Sequence, residues 1–242
     1  MVSRTVMDKI VLSGKSARRL PSEKIVGKAL AMTLKGRIFI ARHGETVFNF
    51  AKRMQGDKRD TPLTRTGFAQ ADAMGSDLAN WIKPGHPLKM WSSPSGRALQ
   101  TLAIIAEHIG HDWHEAIHDP RLFEINVGDW AGRTYAEIMD EIGPIVDPET
   151  GLFSVRAPNG EWYDEIAARL SSWIADTTDY AGDRLVLMHG MSSRVLRGLL
   201  LGLEAKEPWK APVAPSLPQG TMVVIEDGIE QIVRQGGGTH HA

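Results

Sequence analysis

The chain has 242 residues, which is long enough to bury a substantial core and favours one or two domains. It contains no cysteine, which excludes disulfides and thiol catalysis, and its net charge of −1 gives no sign of a nucleic-acid or membrane partner. No apolar stretch approaches the roughly 20 residues that a membrane-spanning helix needs.

The N-terminus is the one strongly charged part of the sequence. Residues 1–35 contain eight Lys or Arg and two acidic residues, without the apolar segment of a secretory signal. We expect residues 1–35 to be a basic, flexible extension and residues 36–242 to form a single domain. The Gly-rich tail, residues 236–242, also has the composition of a flexible segment.

The first predicted element is a buried strand over residues 38–41, which leads directly into Arg42-His43-Gly44. In an open α/β sheet, the loops at the carboxyl ends of the strands form the ligand crevice. A neutral imidazole is a competent nucleophile, and arginine is well suited to clamp phosphate oxygens. The Arg-His pair therefore indicates phosphoryl transfer through a phosphohistidine on His43.

A second strand is predicted at Met90-Trp91, followed by a turn and a helix that begins near Ser95. Arg97 falls in the first turn of this helix, where the helix dipole disfavours a cation unless an anion is bound. The position of Arg97 therefore predicts a second phosphate ligand.

Four histidines follow this helix within a short stretch: His108, His111, His114 and His118. Their spacings lack the i, i+4 pair of a zinc-binding helix, and no cysteine is present to assist. We therefore expect no metal site here.

Glu124 is the best candidate for an acid that protonates a departing alkoxide. It lies among apolar neighbours in the segment 122–130, and such surroundings favour the uncharged form of a carboxyl group. Asp129 is the nearest competitor, but Gly128 and Trp130 beside it indicate a turn.

A third predicted strand, residues 185–188, runs into His189-Gly190 and so repeats the first arrangement of strand, His and Gly. If these two strands are neighbours in one parallel sheet, His43 and His189 come together. Together with Arg42 and Arg97 they would surround a phosphoryl group with positive charge and hydrogen-bond donors.

The remaining elements complete an alternation of helices and strands that is typical of an α/β sandwich. Helices are predicted from Thr64 or Thr66 through Trp81 and over residues 97–108, 134–142, 162–176 and 191–203. Residues 221–226 and 229–233, joined by Asp227-Gly228, predict a hairpin.

At this point the chain resembles the histidine phosphatase superfamily, also called the phosphoglycerate mutase-like family. The resemblance covers roughly residues 37–203, in family order, and is closest to the broad-specificity, cofactor-independent phosphatase branch. The segments that carry it are Arg42-His43-Gly44-Glu45-Thr46 with Asn49, Arg53-Met54-Gln55-Gly56, Asp60-Thr61-Pro62-Leu63-Thr64, Ser93-Pro94 with Arg97, Glu124 with Gly128-Asp129-Trp130, Gly160-Glu161, and His189-Gly190 with Arg194.

The resemblance implies a three-layer sandwich, with helices on both faces of a mostly parallel sheet. It also implies His43 as the phosphoacceptor and Glu124 as the proton donor. The implied phosphoryl and substrate ligands are Arg42, Arg97, His189, Asn49, Gln55, Gly56 and Gly190.

Hydrolysis is favoured over isomerisation. Mutases of the family carry paired arginines in the insertion before the Gly-Glu segment, whereas the stretch 141–159 contains a single basic residue, Arg156. One departure from the family pattern is Trp162, which stands where a Ser is common and is expected to narrow or line the substrate opening.

We therefore expect a metal-independent phosphatase that needs no cofactor, acts on small phosphorylated metabolites, is cytoplasmic and binds neither nucleic acid nor membrane. The alternatives are a phosphoglycerate mutase, a non-catalytic phosphoryl-binding module of the same fold, and a domain tethered to nucleic acid or membrane by its basic arm. Whether the chain forms a homo-oligomer is left open.

Overall fold

A computed structural model describes residues 34–83 and 85–238 of the chain. The predicted basic extension lies outside the described residues except for its last two positions, and so do the last four residues of the tail.

Six strands form one mixed sheet in the order β3-β2-β4-β1-β5-β6. Its first four strands are parallel, whereas β5 and β6 are antiparallel to their neighbours, so the predicted mostly parallel sheet is confirmed. The strands are β1 (Ile38–Arg42), β2 (Leu88–Ser92), β3 (Ile117–His118), β4 (Asp183–Met188), β5 (Met222–Glu226) and β6 (Ile229–Arg234).

Six α-helices accompany the sheet in the described part of the chain: α1 (Val47–Phe50), α2 (Arg65–Leu78), α3 (Gly96–Ile109), α4 (Tyr135–Ile142), α5 (Tyr163–Thr177) and α6 (Gly190–Leu200). The predicted helices and the β5–β6 hairpin are confirmed, but α2 and α6 each end about one turn earlier than expected. Gly202, just beyond α6, has a left-handed φ of 63° that an α-helix cannot continue through. No helix among the described residues has both the length and the apolar character needed to cross a bilayer.

The sheet separates two hydrophobic cores, and β1 shows how. Ile38 and Ile40 pack into the core beneath α5 and α6, whereas Phe39 and Ala41 pack into the core beneath α2 and α3. Successive side chains of a strand point to opposite faces, so one uninterrupted apolar run serves both cores. The result is the three-layer sandwich that the resemblance implies.

The parallel pairing of β1 with β4 determines where the candidate site lies. Arg42 is in register with Met188, and the backbone N–H of His43 donates to the Met188 carbonyl over 3.1 Å. On the other side of β4, the N–H of Ser93 donates to the Leu187 carbonyl over 2.9 Å. The carboxyl ends of three adjacent parallel strands therefore open into one region, as expected for a ligand crevice.

Candidate active site

His43 directly follows β1 and is almost completely buried. Its Nδ1 lies 2.7 Å from the Gly44 carbonyl, which can only accept, so we assign the ring proton to Nδ1. Nε2 then carries the lone pair and accepts a hydrogen bond from Arg97 Nε over 3.2 Å. Burial, followed by the charges of Arg97 and Arg42, lowers the pKa of His43 well below its usual value. The imidazole is therefore neutral at pH 7, with Nε2 available as a nucleophile.

Arg97 lies in the first turn of α3, as predicted, and its side chain has no solvent exposure. Its terminal nitrogens are held by the loop after α1: Nη2 donates to the Gly56 carbonyl over 2.7 Å and Nη1 to the Thr61 hydroxyl over 3.1 Å. Burial lowers the pKa of Arg97 to about 10, which still leaves it charged at neutral pH. This anchoring orients Arg97 Nε toward His43.

His189 directly follows β4 as the N-cap residue of α6 and lies beside His43, with 5.1 Å between the ring centroids. Its Nε2 lies 2.7 Å from the Ser93 hydroxyl, and its Nδ1 has no hydrogen-bond partner among the described residues. Burial, and then the charge of Arg97, lowers the pKa of His189 well below its usual value. The structure thus brings together the two strand-end histidines that the sequence predicts to meet.

Arg42 is the last residue of β1. Burial lowers the pKa of Arg42, and the opposing charge of Glu124 offsets part of this shift. One cavity joins Arg42 to most of the predicted site, and we call it the His43 cavity. It is lined by Arg42, His43, Met54, Gln55, Gly56, Arg97, Glu124, Ile125, Val127, Tyr135 and Phe153. An imidazole, two guanidinium groups and a carboxyl group therefore share one opening.

Glu124 is buried, but its surroundings differ from those expected from the sequence. Its Oε2 accepts from the N–H of Met191 over 3.0 Å, and its Oε1 accepts from the N–H of Ser192 over 2.9 Å and of Ile125 over 3.0 Å. The carboxyl group thus sits at the N-terminus of α6, where backbone N–H groups of the first turn donate to both of its oxygens. The apolar neighbours in sequence, such as Leu122, turn into the core instead.

Gln55 and Gly56 lie where the resemblance implies, in the wall of the His43 cavity. The Oε1 atom of Gln55 accepts from the hydroxyls of Thr46 and Thr61, each over 2.8 Å. Both hydroxyls fix the oxygen end of the amide, which leaves the Nε2 donors of Gln55 for a ligand.

Asn49 and Gly190 do not line the His43 cavity. Asn49 belongs to the capping box of α1, and its Oδ1 also accepts from Gln219 Nε2 over 3.1 Å. Gly190, the first residue of α6, lines a neighbouring cavity that shares Arg42. The ligand roles of both residues stay predictions.

Three other residues from the sequence argument also lie away from the His43 cavity. Asp129 is in a single 3₁₀ turn, as its neighbours predict, and accepts from Asn159 Nδ2 over 3.1 Å. Trp162 caps α5, and its indole donates to the Pro208 carbonyl over 3.2 Å. Arg156 pairs with Glu165 over 2.8 Å.

Tyr135 is a cavity residue that the sequence does not predict. Burial raises the pKa of its hydroxyl, and Arg42 opposes that shift. Tyr135 begins α4 directly after Thr134, which forms a capping box with Glu137. That capping signal marks a helix start, but nothing in the sequence says that this helix start faces His43.

The four clustered histidines do not converge. His108 pairs with Asp72 over 2.8 Å, His114 pairs with Asp112 over 2.9 Å, and His111 lies 3.0 Å from the Ile109 carbonyl. Within residues 34–83 and 85–238, no group of three or more potential ligands is arranged to hold a metal ion.

The fold and the two histidines at adjacent strand ends define the class of protein. The sequence model of the histidine phosphatase superfamily (branch 1) matches residues 38–235. The chain belongs to this superfamily.

Individual relatives have different activities in their names. The "Probable phosphoglycerate mutase GpmB" of Yersinia pestis (strain Pestoides F) is 32% identical over 176 residues, which cover 70% of this chain and 76% of the relative. YhfR of Bacillus stearothermophilus, a solved structure, is 25% identical with a TM-score of 0.64, covering 85% of this chain and 98% of its own.

Two further solved structures share the fold at lower identity. The mycobacterial glucosyl-3-phosphoglycerate phosphatase Rv2419c, in complex with VO3, is 24% identical with a TM-score of 0.64 and coverages of 84% and 99%. The α-ribazole phosphatase of Shigella flexneri is 22% identical with a TM-score of 0.62 and coverages of 84% and 100%. The fold therefore occurs in phosphatases that are named for different substrates.

Proposed function

We propose that the protein is a phosphatase that hydrolyses small phosphomonoesters through a phosphohistidine on His43, without a metal ion or other cofactor. One observation carries this proposal. The Nδ1 proton of His43 is held by the Gly44 carbonyl, so the Nε2 lone pair lies in a buried, positively charged cavity beside Arg97.

In the first step, His43 Nε2 attacks the phosphorus atom, and the bond from phosphorus to the ester oxygen breaks. Arg42 and Arg97 bind the equatorial oxygens, where the charge of the transition state resides. His189, whose ring centroid lies 5.1 Å from that of His43, has an Nδ1 atom without a partner among the described residues and completes the clamp. Arg42 and Arg97 supply the positive charge for which many phosphatases use a metal ion.

Glu124 is the proposed proton donor to the leaving alkoxide. In the second step, the same carboxylate takes a proton from the water that attacks the phosphohistidine, so that inorganic phosphate is released and His43 is restored. Its place in the cavity with His43 supports this role. The N–H groups of Met191 and Ser192 hold the carboxyl group in a fixed orientation between the two steps.

Phosphoglycerate mutase is the second candidate, because the GpmB relatives carry that name. Against it stands the insertion 141–159, whose single arginine, Arg156, is occupied by Glu165 and by the Gly160 carbonyl. A mutase must return the phosphoryl group from His43 to another hydroxyl instead of passing it to water.

The test is product analysis with purified protein in EDTA. Phosphomonoesters, including 3-phosphoglycerate with and without a bisphosphorylated primer, are incubated and assayed for inorganic phosphate and for isomerised ester. Release of phosphate as the main product supports the phosphatase, whereas primer-dependent isomerisation without phosphate release identifies a mutase. Activity that disappears in EDTA and returns with Mg²⁺ would contradict the metal-independent mechanism.

A further inference from the structure

Arg194, on α6, is a buried arginine that the proposed mechanism does not use. It is only 6% exposed, and its Nε donates to the Ala214 carbonyl over 2.9 Å. Its Nη1 and Nη2 groups contact no acceptor in the part of the chain that the structure describes, and no carboxylate there forms an ion pair with it. Burial lowers the pKa of Arg194 to about 10, so it remains charged at neutral pH.

Arg194 faces a second cavity, which we call the Arg194 cavity. It is lined in part by Arg42, Gly190, Arg194, Ser216 and Thr221, and no acidic residue is among its lining residues. Arg197 also borders it, but Glu230 neutralises that guanidinium through contacts of 2.5 and 2.8 Å. The cavity therefore has an excess of positive charge.

A guanidinium charge that is largely removed from water is stabilised by an anionic partner. The planar fork of a guanidinium group matches a carboxylate or a phosphate, each of which accepts two parallel N–H bonds. A small oxyanion therefore matches the terminal nitrogens of Arg194, which have no acceptor among the described residues. Because Arg42 lines both cavities, such an anion lies next to the phosphoryl group in the His43 cavity.

We propose that the Arg194 cavity is a second anion site, which binds a carboxylate or phosphate group on the alcohol part of the substrate. The inference rests on the proposed phosphatase function and deepens it. The preferred substrates are then phosphomonoesters that carry a second acidic group a short distance from the ester.

The test compares three series of alkyl phosphates of increasing length, which end in a hydroxyl, a carboxylate or a second phosphate. For the intact protein, we expect kcat/KM for at least one acidic series to exceed that of the hydroxyl series of equal length. In Arg194→Gln this preference falls by roughly 10- to 100-fold, the range for hydrogen bonds to a charged group. The acidic series that shows the effect identifies the anion.

Lys206→Gln is the matched control, because it removes the same charge from an exposed position and should leave the preference unchanged. Circular dichroism and thermal unfolding establish that each variant is folded. Should Arg194→Gln not fold, Arg194→Lys keeps the charge but loses the fork, and a partial loss of preference is expected. An absence of preference in the intact protein, or a preference that survives these Arg194 variants, overturns the proposal.

Calorimetric binding of the corresponding phosphonates, which cannot be hydrolysed, separates this inference from the proposed function. Tighter binding of the acidic phosphonates that depends on Arg194, in a protein that releases no phosphate, retains the anion site and refutes the phosphatase. Turnover of all three series at equal rates supports the phosphatase and refutes the anion site.

Discussion

At the scale of single residues, the proposed chemistry depends on the tautomer of His43. His43→Ala removes the nucleophile, so turnover and covalent labelling by a ³²P-labelled substrate should both disappear, while the circular dichroism spectrum stays unchanged. His114→Ala is the matched control, since His114 is exposed and pairs only with its neighbour Asp112. A His43→Ala variant that still forms an acid-labile phosphoenzyme would exclude His43 as the phosphoacceptor.

The burial of His43 and His189 makes the stability of the protein depend on pH. His43 and His189 have folded pKa values well below the unfolded value, so between the two values the unfolded chain binds more protons. Each histidine should therefore lower the free energy of unfolding by about 1.4 kcal/mol for each pH unit below roughly 6.5.

Urea unfolding at a series of pH values from 7.5 to about 4.5 measures this slope, and His189→Gln removes one of the two contributions. If the free energy of unfolding of this variant has the same slope against pH as that of the unmodified protein, the pKa of His189 is not lowered in the folded state. His111→Gln is a suitable control, because His111 is only partly buried and does not line the His43 cavity.

The importance of Glu124 should scale with the basicity of the leaving group. For an alkyl phosphate, Glu124→Gln is expected to slow phosphorylation of His43 by roughly two to four orders of magnitude, the usual contribution of general acid catalysis. For an aryl phosphate with an acidic phenol, the same step should slow far less, because that leaving group needs no proton.

Rapid-quench measurement of the first turnover isolates this step from the later hydrolysis of the phosphohistidine, in which Glu124 also acts. Asp129→Asn serves as the control, since Asp129 faces Asn159 rather than the cavity. Equal slowing of phosphorylation for both leaving groups would show that Glu124 is not the acid.

At the scale of secondary-structure elements, the loop after β1 packs against the first turn of α2 without any side chain between them. A Cβ atom on Gly67 would lie 2.1 Å from the Glu45 carbonyl oxygen, and one on Gly44 would lie 2.3 Å from the Gly67 carbonyl oxygen. The backbone next to His43 is therefore held by direct contact with α2.

Gly67→Ala should displace this loop and reduce kcat, by roughly 100-fold if the nucleophile moves about 1 Å. Gly75→Ala on the same helix is the control, since the three atoms nearest to its Cβ would all belong to the His108 side chain and not to the loop after β1. The comparison requires steady-state kinetics together with thermal unfolding of both variants. If the two variants lose activity in proportion to their loss of stability, the loop contact has no separate effect on catalysis.

The sequence predicts these elements well where one local pattern determines them. The apolar runs of β1 and β4 and the Gly turns after them identify both histidines, because burial and chain reversal leave a local signature. The surroundings of Glu124 were not predictable in this way. Its hydrogen-bond donors on α6 lie 67 and 68 residues away in sequence, and no local pattern indicates which helix end meets which carboxyl group. The same reason applies to Tyr135.

At the scale of the whole molecule, the family match begins at residue 38, after the basic segment. We expect a protein that lacks residues 1–31 to keep its melting temperature and its kcat within error of the full-length chain. Both proteins are compared by thermal unfolding and phosphate release, and binding to anionic vesicles and to duplex DNA tests the alternative role of a basic tether. Precipitation of the truncated protein, or loss of most of its activity, would show that the segment is part of the fold.

Because β1 pairs with β4, the candidate site forms only when two distant parts of the chain meet. The strand that delivers His43 and the strand that delivers His189 are hydrogen-bonded neighbours, yet about 146 residues separate them in the chain, as the pairing of Arg37 with Asp183 shows. Contacts of such long sequence separation form late, after the intervening chain has been ordered. A nascent chain therefore contains Arg42 and His43 long before it can bind phosphate. Phosphate affinity should appear only after α6 has left the ribosome.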